Sequence, residues 1–313
     1  MKPSLLSKLL ISKWIPKRKL NSHKGNYGHV LIIAGSQGMS GAPVLSAYGA
    51  MRGGAGLVTV ATPLSQQPIV AKHLRPEAMT LPLAETSDGA VSSEAIPTLL
   101  NYIQRRRVSC IAIGPGLSRS FGSDLFVREL LTQLPKNHKD LKGVVLDADA
   151  FMALTPTENE NELKNLYFPI IVTPHVGEMS RFCGVEVKKI EQDRISFSVK
   201  FAKLYHVICV LKGAQTVIGN GDKTWLNTTG NPGMATGGSG DVLTGLISAW
   251  VGILGKNILN KKSSVDYLLK AAIIGVFIHG LAGDLAKKNK TEISMLAGDI
   301  VDQLPNAFKI TVK

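Results

Sequence analysis

Asn231-Pro-Gly-Met-Ala-Thr-Gly-Gly-Ser-Gly-Asp241-Val-Leu-Thr-Gly245 is the stretch on which the reading of this chain turns. Four glycines fall between positions 233 and 240. Val242, Leu243, Leu246, Ile247, Trp250 and Val251 then recur at three- and four-residue spacing. That spacing predicts an amphipathic helix. A glycine-rich turn feeding a helix leaves N–H groups unpaired at the positive end of the helix dipole, which makes an anion site. Gly237, Gly238 and Gly240 lack a Cβ, so phosphate can approach the backbone closely. Thr236 and Ser239 add hydroxyl donors. Asp241, where the helix starts, reads in two ways. As a cap or first-turn residue it stabilises the helix. Beside a bound phosphate it would repel the ligand, unless a metal intervenes or it takes a proton from a hydroxyl that attacks the phosphate. The spacing matches neither G-x-G-x-x-G nor G-x-x-x-x-G-K-[ST], so this is not a dinucleotide fingerprint or a Walker loop.

Upstream, His29-Val-Leu-Ile-Ile-Ala34 is a near-continuous apolar run, the pattern of a parallel strand buried on both faces. The loop 35–41 follows, then a small-residue helix from about 42 to 51, then a strand at 57–61. This unit points to an α/β fold. The loop is either a backbone floor for substrate at the strand's carboxyl end or a plain βα turn. Further strands are read at 109–113, 144–146, 169–172, 207–211 and 217–218. They are followed in turn by Gly114-Pro-Gly-Leu117, Asp147-Ala-Asp149, Thr173-Pro-His175 and Lys212-Gly213. Asp147 and Asp149 suit a metal, a ribose hydroxyl or a helix cap, with the cap favoured for Asp149. Thr173 is positioned as the next helix cap, with Glu178 as first-turn charge. His175, at a strand end, reads as a ligand or phosphate donor. Lys212 is placed to reach nucleotide phosphates as a point charge. Helices at 194–204, about 265–287 and about 294–304 complete the layers. Residues 1–22 read as an irregular arm with one or two amphipathic turns, and 23–313 as a single doubly wound domain with a mainly parallel sheet. The loops at 35–41, 114–116, 173–175 and 237–241 are expected to converge on one cleft.

The net charge of +13 points to anionic ligands. Aromatics make up only 6% of the chain, and basic runs such as Arg105-Arg106-Arg107 carry no interleaved stacking residues, so small polyphosphates fit better than nucleic acid. Cys110, Cys183 and Cys209 are odd in number and far apart, which implies no disulfide framework or zinc site and makes a reducing cytoplasm the natural compartment. The run Leu9-Leu10-Ile11 is too short for a signal peptide, and 271–278 is too short to cross a bilayer.

Seven motifs stand in series: His23-Lys-Gly-Asn-Tyr-Gly-His-Val-Leu-Ile-Ile-Ala-Gly35, Gly53-Gly-Ala-Gly-Leu-Val58, Gly114-Pro-Gly-Leu117, Leu146-Asp-Ala-Asp149, Thr173-Pro-His175, Lys212-Gly213 and the stretch from Asn231 to Gly245. From about His23 to Ile300 the chain resembles the ADP/ATP-dependent NAD(P)H-hydrate dehydratase family. The resemblance implies a ribokinase-like three-layer α/β/α domain. It implies repair of the S-form of hydrated NADH and NADPH, with ADP or ATP consumed and magnesium bridging the nucleotide phosphates through ligands that the sequence does not identify. It assigns Ala42, Gly116, His175 and Asp241 to the hydrated nicotinamide nucleotide, with Asp241 as the catalytic base. Lys212, Gly213, Ala214, Gln215, Thr216 and Gly240 are assigned to the adenine nucleotide, with Gly237, Gly238 and Ser239 beside them in the anion loop. It also implies a homo-oligomer, a tetramer, and a separate epimerase in the pathway, with no nucleic-acid or membrane partner. The competing reading is a ribokinase-like kinase of a small-molecule hydroxyl, with the same base and anion hole. A nucleotide sensor in which Asp241 only caps its helix is the non-catalytic reading.

Overall fold

The computed structural model of the chain describes residues 2–134, 139–156, 161–256 and 264–313. Ten strands lie among them: β1 Ser4–Leu5, β2 His29–Ile33, β3 Leu57–Pro63, β4 Met79–Leu83, β5 Cys110–Ile113, β6 Gly143–Leu146, β7 Ile170–Val172, β8 Ile208–Leu211, β9 Val217–Gly219 and β10 Thr224–Leu226. They form one sheet in the order β1-β10-β9-β8-β7-β6-β5-β2-β3-β4. Neighbours are parallel except around β9, which runs antiparallel to both β8 and β10. The described α-helices are α1 Lys8–Trp14, α2 Gly41–Arg52, α3 Gln67–His73, α4 Ile96–Arg105, α5 Phe121–Gln133, α6 Ala148–Ala153, α7 Glu162–Asn165, α8 Val176–Cys183, α9 Val187–Gln192, α10 Arg194–Tyr205, α11 Ser239–Lys256, α12 Ser264–Lys290 and α13 Ala297–Val312.

Strand residues point alternately to opposite faces, and here both faces are apolar. Leu31, Ile33, Ile111, Ile113, Val144 and Leu146 enter a core with Leu99 of α4, Phe126 of α5, Phe151 of α6, Met179 of α8 and Phe201 of α10. Their neighbours turn the other way. Cys110, Val145 and Ile171 meet Leu246 of α11, Ile274 of α12 and Leu304 of α13, while Val30, Ile32 and Ala112 meet Val44 and Ala47 of α2. The result is three layers, α/β/α, as expected.

Between α2 and α11 the contact is backbone to backbone. A Cβ on Gly245 would sit 1.8 Å from the Ser46 carbonyl oxygen, and one on Gly49 would sit 2.2 Å from that of Val242. Only glycine allows this approach.

Several elements go beyond the sequence reading. The first residues supply β1, parallel to β10 with Ser4 opposite Trp225; the amphipathic turns expected after it form α1, and its Ile11 is fully buried. The final helix runs past Pro305 to Val312 because its apolar face continues through the buried Ala307 and Thr311, and burial outweighs the amide bond lost at proline. α12, at 27 residues, is by length and composition apolar enough to cross a bilayer, unlike the run 271–278 on its own. Yet 78% of its most apolar window is buried inside the protein.

Candidate functional site

The chain order creates the cleft. From β2 the chain steps outward through β3 and β4, then returns to place β5 on the other side of β2. That reversal is a topological switch point, where the loops after two adjacent strands part and leave a crevice at the carboxyl ends. The loops after β2 and β5 are tied across it. Gly35 N–H donates to the Pro115 carbonyl at 2.9 Å, and the Ser36 hydroxyl donates to the Gly116 carbonyl at 2.9 Å. Gly116 has φ +62°, and a Cβ there would lie 3.0 Å from the Ala42 and Met39 Cβ atoms. Ala42 and Gly116 therefore share one wall.

The next strands bring the charges. Asp147 follows β6 and is 1% exposed. Its Oδ1 accepts from Lys212 Nζ at 2.7 Å and from the Thr173 hydroxyl at 2.8 Å, and its Oδ2 accepts from the Thr244 hydroxyl at 2.7 Å. Lys212, after β8, also faces Glu178 Oε2 at 3.9 Å. Burial alone would raise the Asp147 carboxyl, but the Lys212 charge and the three hydrogen bonds outweigh it and hold Asp147 below the usual carboxylate range. Burial likewise pulls Lys212 down, and the Asp147 and Glu178 carboxylates reverse this and raise it. Asp147 and Lys212 therefore form a buried ion pair.

Asp241 stands beside that pair in the first turn of α11. Its carboxylate makes no hydrogen bond or ion pair among the described residues. Burial pushes its carboxyl up to about 7, the negative charge of Asp147 adds to this, Lys212 works against it, and Asp149 adds again. The helix start is open as well. The N–H groups of Gly237, Gly238, Gly240 and Asp241 find no acceptor among the described residues, as expected of a helix N-terminus waiting for an anion. Gly238 takes φ +86°, and a Cβ there would strike Leu45 Cδ1 at 2.3 Å, whereas around Gly237 nothing lies within 4 Å. A Cβ on Gly240 would be 3.5 Å from Lys212 Nζ. The buried pair thus abuts the anion loop.

Two local readings are corrected. His175, not Thr173, is the N-cap of α8: its Nδ1 accepts from the N–H groups of Gly177 and Glu178, and the Glu178 carboxylate accepts from the His175 N–H at 2.7 Å. Thr173 lies two residues before that cap, beyond Pro174, and its hydroxyl donates to Asp147 instead. The His175 Nε2 lies 3.3 Å from Glu178 Oε1, so its ring stays half-exposed at the rim. Asp149 is not the cap of α6. Asp147 holds the cap position without capping, and Asp149 accepts from the Ser118 N–H at 3.0 Å.

The remaining nucleotide candidates divide. Lys212 lies inside, with its ammonium committed to Asp147. Gly213, Ala214 and Gln215 are exposed and Thr216 partly so, on the β8–β9 turn, which Arg194 holds by donating to the carbonyls of Leu211 and Ala214 at 3.0 and 2.5 Å. Sequence reasoning missed Thr244, and it left Asp147 open between a metal, a ribose hydroxyl and a cap without foreseeing the ion pair with Lys212. The usable signal was the spacing of Thr244 three residues after Asp241, which puts both on one helix face. Among the described residues no group of three His, Cys, Asp or Glu could hold a metal ion. A divalent cation here would therefore be carried mainly by phosphate oxygens and water, a mode that suits magnesium. With Asp147 engaged, Asp241 and Asp149 are the carboxylates left to face it.

Comparisons with known proteins bear on the family and the fold. A family model described as NAD(P)H-hydrate dehydratase matches residues 30–306. The bifunctional NAD(P)H-hydrate repair enzyme of Moorella thermoacetica is 42% identical over 309 residues, 96% of this chain and 54% of its own length. The chain spans about half the length of that relative and of several like it. The ADP-dependent (S)-NAD(P)H-hydrate dehydratase of Bacillus subtilis is 34% identical, with 94% of each chain covered. The crystal structure of the B. subtilis ADP/ATP-dependent NAD(P)H-hydrate dehydratase, co-crystallized with ATP/Mg2+, superposes with a TM-score of 0.79 at 30% identity over 99% of both chains. A ribokinase-like superfamily protein from Enterococcus faecalis superposes at 0.77, with 27% identity, over 98% of this chain and 96% of its own.

Proposed function

The chain belongs to the NAD(P)H-hydrate dehydratase family, and we propose that it returns the S-form of NADH or NADPH hydrate to the reduced nicotinamide, consuming ADP or ATP. The observation that carries this reading is Asp241: an unpaired carboxylate, raised to about 7, at the mouth of a loop with four free amides. A base poised near neutrality is matched to taking a proton from an alcohol.

The hydrate carries a hydroxyl on a saturated ring carbon, and hydroxide leaves poorly. Asp241 takes the hydroxyl proton as the oxygen attacks the terminal phosphorus of the nucleotide. The new O–P bond forms as the bond to the bridging oxygen breaks, and ADP or AMP departs. The amides of Gly237, Gly238 and Gly240 face the charge on the phosphoryl oxygens, the arrangement that stabilises such a transfer. The ring nitrogen lone pair then expels phosphate, and loss of a proton from the adjacent carbon restores the ring double bond. Magnesium, when bound, supplies charge neutralisation between the phosphates. Asp147 and Lys212 act as a fixed pair: Lys212 stays oriented beside Gly240, and the Asp147 charge keeps Asp241 basic enough to serve.

On this reading Ala42, Gly116 and His175 line the nicotinamide side, and Lys212, Gly213, Ala214, Gln215, Thr216, Ser239 and Gly240 the nucleotide side. The name and double length of the bifunctional relative support a second activity, an epimerase, as the partner step. The free thiols of Cys110, Cys183 and Cys209 support a reducing, cytoplasmic setting. A homo-oligomer, a tetramer, is proposed on the family resemblance.

The test is direct. Incubating the protein with NADH hydrate, magnesium and each nucleotide should restore the absorbance of the reduced nicotinamide with stoichiometric release of phosphate. Nucleotide consumption with a stable phosphate ester and no absorbance gain would instead identify a kinase of another alcohol.

A further inference from the structure

The anion loop is not held by its own turn alone. Both of its ends rest on one face of α12. Gly230 N–H donates to Asp284 Oδ2 at 2.9 Å, and Asn231 Nδ2 donates to Asp284 Oδ1 at 3.1 Å. Asn231 Oδ1 in turn accepts from the Gly233 N–H at 3.0 Å. At the far end the Ser239 hydroxyl sits 3.5 Å from His279 Nε2. Between these ties the loop is pressed onto the helix. A Cβ on Gly280 would lie 2.3 Å from Thr229 Oγ1, and one on Gly283 would lie 2.3 Å from Met234 Sδ. Residues 279, 280, 283 and 284 fall at helical spacings that share one face. The segment His279-Gly-Leu-Ala-Gly-Asp284 thus reads as a rail with two glycine recesses and a polar tie at each end.

We propose that this face of α12 positions the anion loop, and that Asp284 and His279 are positioning residues that set the register of the Gly237–Asp241 turn for phosphoryl transfer without touching substrate. The catalytic half of this inference rests on the proposed function above. Three features support it. Asp284 satisfies two donors with two carboxylate oxygens, an arrangement that fixes direction as well as distance. His279 is pushed down to about 4 by burial, so it remains neutral and adds no charge beside the phosphate site. At Gly280 the loop backbone comes closer to the helix than a side chain would permit, and Gly283 leaves the space that the Met234 side chain fills.

The experiment compares the wild-type chain, Asp284→Asn, and the double variant Asn231→Asp/Asp284→Asn. Asn at 284 offers one acceptor, so it can serve Gly230 or Asn231 but leaves donor facing donor at the other contact. The double variant restores the pairing: its residue 231 accepts from the new amide and from Gly233, while the oxygen at 284 accepts from Gly230. Hydrogen exchange of the bonded loop amides of Gly230, Gly233, Met234, Ala235 and Ser239, kcat and KM for NADH hydrate, and thermal unfolding are followed for all three. In Asp284→Asn the loop amides should exchange about 10- to 100-fold faster, and kcat should fall by a similar factor, the span expected for losing a hydrogen bond to a charged group. KM should change little, and the double variant should recover most of both losses. Unchanged exchange in Asp284→Asn overturns the rail. Faster exchange with intact kcat overturns its catalytic role, as does a folded double variant that recovers nothing. A wild-type chain without turnover of hydrate would sink the functional reading and the catalytic half together, and the exchange data would still decide whether Asp284 holds the loop.

Discussion

Asp241→Asn sets the two readings of one side chain against each other. The carboxyl is raised from its ordinary 3.8 to about 7, chiefly by burial. A raised folded-state value contributes stability that is complete below about 3.8 and is lost as pH climbs through about 7. The ionised form therefore weighs against folding at pH 8 by up to about 4 kcal/mol, at about 1.4 kcal/mol per pH unit. Its place in the first turn of α11 returns up to about 1 kcal/mol through the helix dipole. Asparagine removes the charge and keeps the shape, so Asp241→Asn should be more stable than the wild type by about 3 kcal/mol at pH 8. That margin should shrink toward zero by pH 4, where the wild-type carboxyl is itself neutral. Turnover should fall by about 100- to 10,000-fold, the usual cost of losing a positioned base. The assays are denaturant unfolding at pH 4, 6 and 8, and restoration of reduced-nicotinamide absorbance from hydrate. If Asp241 is only a helix stabiliser, the amide can still cap the helix, and the variant will lose at most about 1 kcal/mol through the missing first-turn charge while staying nearly as active. That pairing of results would refute the base.

Wild-type kcat/KM should rise with pH through about 7 as Asp241 of the free protein loses its proton, and a flat profile between pH 6 and 8 would count against that titration. Lys212→Met strips the buried Asp147 of its cation, so it should cost about 3–5 kcal/mol at pH 7. The loss should be smaller at pH 4.5, where an unpaired Asp147 can take up a proton; urea melts at the two pH values check this, and equal losses would contradict the pairing. Thr244→Val removes the donor to Asp147 Oδ2 and should lower stability by about 1–3 kcal/mol in the same melts. Gly237→Ala meets open space and should leave the melting temperature unchanged while weakening nucleotide binding, measured by calorimetry. Gly245→Ala drives a methyl into the Ser46 carbonyl and should destabilise by more than about 1–3 kcal/mol.

What the sequence made legible follows from how local each signal is. β2, β5, β6 and β8 are buried on both faces, so their apolar runs stand out. The anion loop was legible because its glycines and the helix that follows are contiguous. The role of Asp147 was not, because its partners Thr173, Lys212 and Thr244 lie 26, 65 and 97 residues away. The cap of α8 was misassigned because Thr is a common cap and His is not, while the helix starts two residues later than Thr173 suggests. β1 spans two residues and exists only because β10 offers an edge, and the half-buried β4 carries Pro82 within it. Neither makes an apolar run to find.

The glycine contacts between α2 and α11 have a mechanical consequence. Ala42 rides on the first turn of α2, and Asp241 on the first turn of α11. Between these helices the Gly245 and Gly49 contacts fall on carbonyl oxygens rather than on side chains. Side chains can change rotamer and let two helices slide, whereas main-chain atoms in contact have no such play. The two helix starts that carry Ala42 and Asp241 are therefore cast as one block, and their spacing is set by the scaffold, not by an occupant. Any gating of the cleft must come from parts outside that block, such as the β8–β9 turn with its exposed Ala214 and Gln215.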